Sequence, residues 1–354
     1  MPFFQGKADF GDVYPQIRVY CTAPIKIAEK NDILLSVRAP VGPTNLAPAT
    51  VCIGRGLSAI RPNEQIISRK YLLLYFKHFE LQLAAKGTGT TFNSINQKII
   101  KALEIPVPPL DEQARIVARI EELFSELDNG VQTLQTIKQQ LAVYRQAVLV
   151  STLNDTGFPK MTINDVCEAI VDCPHSTPKW VEMGQLCLRT TNFKRGFLDL
   201  SVPNYVTKET FDSRNARLVP KAGDVLYSRE GSILGIACII PDGINACLGQ
   251  RIMLLRTSSK MNNKLLMYYL NSPMVTNHVI TSKGGTGSPH INVGDIKAFR
   301  IPVPDINKQN EIVREIEERF SVCDSIEKTV DAALAQAEAM RQSILKKAFE
   351  GGLA

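Results

Sequence analysis

Few residues in this chain have the types and spacing of a reaction centre. The run KGGTG at 283–287 offers the backbone N–H groups of a phosphate cradle. No Lys-Ser/Thr pair follows it, however, so it is not a Walker A loop, and no GxGxxG opens a helix elsewhere. An Asn-Pro-Pro-Tyr/Phe stretch of the amino-methyltransferase type is also missing. Histidine occurs only at 78, 175, 278 and 290. In DCPHSTP (172–178) Cys173 stands beside His175, but two ligand types on one loop fall short of a metal site. The eight cysteines are scattered with no CxxC pair, which reads as reduced thiols in a cytoplasmic protein. Nothing at the N-terminus resembles a signal peptide, and no apolar run approaches the roughly 18 residues of a membrane span. No catalytic residue, metal or bound cofactor is expected on this chain.

Its organisation is more informative. IPVPPLDEQARIVARIEELFSELD (105–128) returns as IPVPDINKQNEIVREIEERFSVCD (301–324), at an offset of 196 residues that holds from Ile95/Ile291 through Gln113/Gln309 and Asp128/Asp324 to Arg145/Arg341. Upstream, with small gaps, NDILLSVRAPVG (31–42) resembles GDVLYSREGSILG (223–235), and KGTGTTFNSIN (86–96) resembles KGGTGSPHIN (283–292). A unit this long is a duplicated module rather than a solenoid repeat.

Each copy has two textures. The first part, with short β-branched runs such as DVLYS, IACII and IMLLRT between Gly and Pro, reads as a mixed, β-rich domain. The second part is helical: Ile116, Ile120, Leu123, Leu127, Val131, Leu134, Ile137, Leu141, Tyr144 and Val148 repeat at close to 4-3 spacing, as do Ile312, Ile316, Phe320, Cys323, Ile326, Val330, Ala333, Ala337, Met340 and Ile344. PVPPLDEQ places prolines before the first helix and acids in its first turn, where they suit the dipole. Gly130 predicts a bend. Helices of about 42 residues, roughly 60 Å long, cannot hide such a stripe alone. The economical partner of each is its duplicate, in antiparallel pairing. The fold class is therefore α+β: two β-rich domains (1–108 and 155–304) separated by two long helices (109–154 and 305–354). Both helical segments carry more acid than base, so the net charge of +6 resides in the domains, as suits an approach to nucleic acid.

These features resemble the specificity subunit of type I restriction–modification systems over nearly the whole chain. The resemblance rests on the repeated IPVP helix starts, on YRQAVL and MRQSILKKAFEGGL at the helix ends, and on GDVLYSREGSILG. It implies two target-recognition domains that each read half of a bipartite double-stranded DNA site, and a helix pair that fixes the gap. It also implies a non-catalytic, cytoplasmic chain that holds two adenine-methyltransferase subunits and, through them, restriction subunits. S-adenosylmethionine, ATP and Mg would then belong to those partners. A stand-alone coiled-coil DNA-binding or regulatory protein built from the same module is the other reading.

DNA specificity calls for Arg, Lys, Asn, Gln, Ser or Thr at base edges, with a larger set on phosphates. The second domain offers Arg189, Thr190, Thr191, Asn192, Lys194 and Arg195 in LRTTNFKRG. It adds Ser228, Arg229 and Glu230 in YSREGS, and Lys283, Thr286, Ser288 and His290 in the glycine-rich run. The first-domain counterparts are Gln5, Lys7, Arg38, Lys86, Thr88, Thr90 and Asn93. The copies are unequal at their starts. Copy two takes about 28 residues from Lys160 to LRTTNF, whereas the aligned position in copy one is about Phe3. The first domain is thus expected to lack the stretch equivalent to MTINDVCEAIVDCPHSTPKW, to show an exposed sheet edge, and to be impaired.

Overall fold

A computed structural model of the chain describes residues 1–87, 93–154, 157–231, 233–281 and 290–352. They form two compact units, residues 1–136 with 330–354 and residues 137–329.

In the first unit the strands are β1 (Pro2–Phe4), β2 (Val19–Tyr20), β3 (Ile27–Ala28), β4 (Ile33–Ser36), β5 (Thr44–Leu46), β6 (Val51–Ile53) and β7 (Leu57–Ile60). They are followed by α1 (Arg69–His78), α2 (Glu80–Ala85), α3 (Gln97–Lys101) and the first part of α4 (Leu110–Leu153). One sheet runs β2-β1-β6-β3, with β1 and β6 parallel, and the other runs β5-β4-β7. Ile33, Leu34 and Leu35 of β4 are fully buried because both faces are covered, one by α1 and one by the first sheet. Ser68 starts α1 by accepting a hydrogen bond from the Tyr71 N–H, the ordinary serine cap.

The second unit adds β8 (Lys160–Thr162), α5 (Ile163–Val166), β9 (Cys167–Asp172), β10 (Gln185–Leu188), β11 (Tyr205–Val206), α6 (Lys208–Asn215) and β12 (Val225–Ser228). Next come β13 (Ala237–Ile239), β14 (Cys247–Leu248), β15 (Ile252–Thr257), α7 (Asn263–Asn271), α8 (Pro273–Thr281), α9 (Val293–Ala298), β16 (Arg300–Pro302) and α10 (Ile306–Phe349). Its sheets run β11-β10-β14, β13-β12-β15-β9 and β16-β8.

The sequence duplication is carried into matching interactions. Asp32 takes both oxygens to Arg61 in the first unit, and Asp224 does the same with Arg256 in the second. At each helix start a fully buried glutamine ties the helix to its own unit. Gln113 accepts from Ser68 N (2.7 Å) and donates to Ile66 O and Pro108 O (2.9 and 2.8 Å). Gln309 repeats this with Asn262 N, Lys260 O and Pro304 O (2.7, 2.9 and 2.8 Å).

Both helices span 44 residues, and α4 runs through Gly130 without interruption, so that glycine ends no turn. They pair antiparallel, as each unit shows by itself. In the second unit Arg145 bridges Asp324 and Glu327 at 2.7 and 3.1 Å and lies over the Phe320 ring. In the first, Arg341 pairs with Asp128 over the Phe124 ring. Each clasp is the other's image under the 196-residue offset.

The seam itself differs from the simple heptad. Tyr144, Ile326 and Met340 are exposed. Val148, Leu149 and Leu153 are buried in the second unit's core, as Val117, Leu345 and Ala348 are in the first unit. A helix end that packs on a globular core follows the 3.6-residue period of its own surface, not the 3.5-residue period of a two-helix seam.

Candidate nucleic-acid interface

In the second unit a set of hydrogen-bonding side chains lies where two parallel strands end together. β10 and β14 pair Leu188 with Leu248, and beyond them Gly249 N donates to Leu188 O at 2.8 Å. A Cβ on Gly249 would stand 2.7 Å from that carbonyl, so the close approach requires glycine. Arg189 leaves one strand end as Gln250 and Arg251 leave the other. With Thr177, Trp180 and Thr190 they line a concavity of about 70 Å³. The Arg189 guanidinium lies 5.0 Å from the Trp180 ring centre, a cation–π contact that orients a planar donor fork. Thr177 Oγ1 bonds Gln250 Oε1 at 3.0 Å. Arg251 has φ of 70°, uncommon for a residue with a side chain, and its side chain faces Glu230 at 3.7 Å. Such backbone settings concentrate at functional sites.

The first unit repeats this platform with exchanged residues. β1 and β6 are again parallel and pair Phe4 with Ile53, and Gly54 N donates to Phe4 O at 2.8 Å. Gln5 stands where the second unit has Arg189, and the exposed Arg55 stands where it has Gln250. At these two aligned positions each unit therefore carries one arginine and one glutamine, and the second unit adds Arg251 where the first has Gly56. Those are the side chains whose bidentate geometry suits guanine and adenine edges.

The structure divides the residues singled out in the sequence. Arg189 and Thr190 sit at the concavity, and Thr191 is exposed beside them. Asn192 is buried and structural: it accepts from Arg189 N and donates to Asp199 O and Val202 O. Lys194 and Arg195 are not part of that cluster. They line a wider groove of about 890 Å³ with Tyr268, Glu317 and Phe320, and Arg195 bonds Asn271 O. Ser228 is fully buried, its hydroxyl bonded to the Ile233 carbonyl.

Arg229 is likewise withdrawn from solvent, with its side chain 8% exposed. It forms two bonds of 2.8 and 2.9 Å to Asp172 of β9. Burial works against its charge, but the Asp172 carboxylate outweighs burial and raises its pKa. A base reader must reach solvent, and this arginine is held by its own sheet. Glu230 and His290 face each other across an isolated bridge, as Arg38 and Ser94 do in the first unit. Gln5, Lys7, Arg38, Lys86 and Asn93 are exposed. Thr88, Thr90, Lys283, Thr286 and Ser288 lie outside the described residues.

Thr177, Trp180, Gln250, Arg251 and Arg55 escaped sequence reasoning. The aligned tripeptides Gly54-Arg55-Gly56 and Gly249-Gln250-Arg251, each after a cysteine-containing strand, carried the signal. Among the described residues no group of three or more His, Cys, Asp and Glu side chains could hold a metal. Cys173 turns inward, where Ile252 N bonds its sulfur, while His175 lies against Asp172. Burial pushes the Cys167 thiol up to about 12, which leaves it a poor nucleophile. No described helix is long and apolar enough to cross a membrane.

Residues 1–140 and 157–336 match the family model for the type I restriction modification DNA specificity domain, and the chain belongs to that family. A putative type I restriction enzyme MjaX specificity subunit from Methanocaldococcus jannaschii is 35% identical over 149 residues, which are 42% of this chain and 34% of that protein. The type I restriction enzyme EcoKI specificity subunit of Escherichia coli strain K12 is 26% identical over 327 residues, 86% of this chain and 70% of that one. The chain thus spans about a third of the first relative's length, and 66% of the similar EcoBI specificity subunit of Escherichia coli. Among solved structures, a chain from a study of complex assembly and conformational transition in the type I R-M system superposes with a TM-score of 0.70. It is 20% identical, with 94% of this chain and 85% of that one covered, and so supports the fold.

Proposed function

We infer that this chain is the DNA-reading subunit of a type I restriction–modification complex. Each unit reads one half of an interrupted double-stranded site, and the antiparallel helices set the gap. The chain itself is non-catalytic. It holds two adenine-methyltransferase subunits, which carry S-adenosylmethionine, and restriction subunits join through them with ATP and Mg. The observation that carries this reading is the duplicated platform, Arg189 with Gln250 and Gln5 with Arg55, at the ends of paired parallel strands. Two like readers on one chain suit two separated half-sites, as a dimer suits a palindrome. Residues that touch phosphate would supply affinity common to all sequences, with a steep salt dependence.

Reconstitution tests it. The chain, combined with a type I methyltransferase subunit and S-adenosylmethionine, is expected to methylate adenines within one motif of two specified parts and an unspecified gap. Sequencing of the modified bases reads this out. Methylation independent of the chain, or a single continuous motif, would count against the reading.

A further inference from the structure

The second unit's platform is braced by a helix. α6 starts at Thr207, whose side chain accepts from the Thr210 N–H, and it packs on β10 and β14 with Phe211 set against Cys187 and Cys247. Arg214 follows Phe211 by three residues and so leaves the same face of the helix. It is 8% exposed, and among the described residues no carboxylate forms an ion pair with it. A charge withdrawn from water without a counter-ion is costly unless hydrogen bonds meet it.

Here they do, and they come from two segments. Nη1 donates to Leu248 O at 2.9 Å, at the end of β14, and Nη2 donates to Ser176 O, with Ser176 Oγ at 3.4 Å. Gly249 and Gln250 follow the first acceptor; Thr177 and then Trp180 follow the second. The loop is pinned at its start as well, where Cys173 N donates to Ile252 O at 3.0 Å and Arg229 holds Asp172. Thr177 Oγ1 then donates to Gln250 Oε1 across the concavity. Two walls of that concavity are therefore spaced by one guanidinium. Its planar fork fixes the directions of both donors, which a lysine ammonium on a flexible stem does not. Residues 21–32 of the first unit, which join β2 to β4, carry β3 and no helix, so its platform has no counterpart of this brace.

We propose that Arg214 is a positioning residue for base recognition by the second unit. It sets the spacing between the loop that carries Thr177 and Trp180 and the strand end that carries Gln250, and through Trp180 it sets the aim of Arg189. The role rests on the DNA reading proposed above and adds to it a residue withdrawn from the surface.

Trp180 is the chain's single tryptophan, so its emission reports on the loop without DNA. In the free full chain, Arg214→Met is expected to move that emission to longer wavelength and to raise its quenching by acrylamide, as the loop loses its tie to β14. In the complex reconstituted with a type I methyltransferase subunit, discrimination against single-base variants of the half-site assigned to the second unit should fall by about tenfold, the lower end of one lost bidentate contact. The order of preferred bases in the other half-site should stay the same, which makes it an internal control. Arg214→Lys keeps the charge but loses the fork, and should show the same changes in weaker form; it carries the test if the methionine variant does not fold. Unchanged discrimination despite shifted emission, an equal loss in both half-sites, or wild-type behaviour of Arg214→Lys in both measurements would overturn the assignment. A wild-type complex that methylates no two-part motif would instead overturn the DNA-reading role, and the positioning role with it.

Discussion

Replacing Arg189 with alanine is expected, on the proposed role, to relax base preference at one position of the half-site assigned to the second unit. The discrimination lost is roughly 1–3 kcal/mol, or about ten- to a hundredfold, the worth of one bidentate arginine contact. Its guanidinium is anchored on the Trp180 ring and projects from a strand end fixed by the Gly249–Leu188 bond, so its aim is preset. Arg55→Ala should produce the same kind of loss in the other half-site. Arg229→Ala serves as the contrast. It leaves the half-buried Asp172 carboxylate without its guanidinium, so it lowers stability by roughly 1.5–3 kcal/mol while the order of preferred sequences stays the same. Binding to a panel of single-base variants, with thermal melting in parallel, separates the two behaviours. A reordered preference for Arg229→Ala, or none for Arg189→Ala, would place the readers elsewhere.

Gln309→Leu should destabilise the second unit by about 2–4 kcal/mol, and Gln113→Leu the first by a similar amount. Each glutamine is fully buried and satisfies one backbone N–H and two carbonyls that leucine cannot reach. In both cases the lost bonds join the first turn of a long helix to the loop before α7 or α1. The damage should therefore appear as faster hydrogen exchange at that junction, Lys260–Leu265 for Gln309→Leu and Ile66–Tyr71 for Gln113→Leu. Unchanged melting with unchanged exchange would mean that the junction is held by its apolar contacts alone.

Much of this architecture could be read without coordinates. The 196-residue offset, the proline-led helix starts and the apolar spacing identified the duplication, the long helices and their antiparallel partnership, because each is a local or periodic signal. What failed was whatever depended on a distant partner. IPVP is written identically at 105–108 and 301–304, yet only the second copy opens as a strand, because β8 is there to pair with it. A strand is a property of two segments. Arg229 looked like a reader because YSREGS follows a strand. Its partner Asp172 lies 57 residues earlier, beyond any sequence window. Gln250 and Arg251 escaped notice for the converse reason: they follow a two-residue strand whose neighbour, β10, brings Arg189 alongside from far away in sequence. Tyr144 and Met340 leave the expected seam where the helix parts beyond them serve a globular core and change the period of the buried stripe; Ile326, at mid-helix, is exposed with no such explanation.

The most direct test of the proposed role lengthens the helices and leaves the readers alone. Inserting about one turn, four residues, after Thr136 in α4 and after Ala332 in α10 keeps the duplicated positions matched and adds roughly 6 Å to each helix. The clasps Arg145–Asp324 and Arg341–Asp128 lie on either side of the insertions and keep their partners within their own units. Sequencing of the adenines methylated by the reconstituted complex should then return the same two half-sites with a gap longer by about two base pairs, at 3.4 Å per pair. The same half-sites at an unchanged gap would contradict the claim that the helix pair sets the distance between two DNA readers.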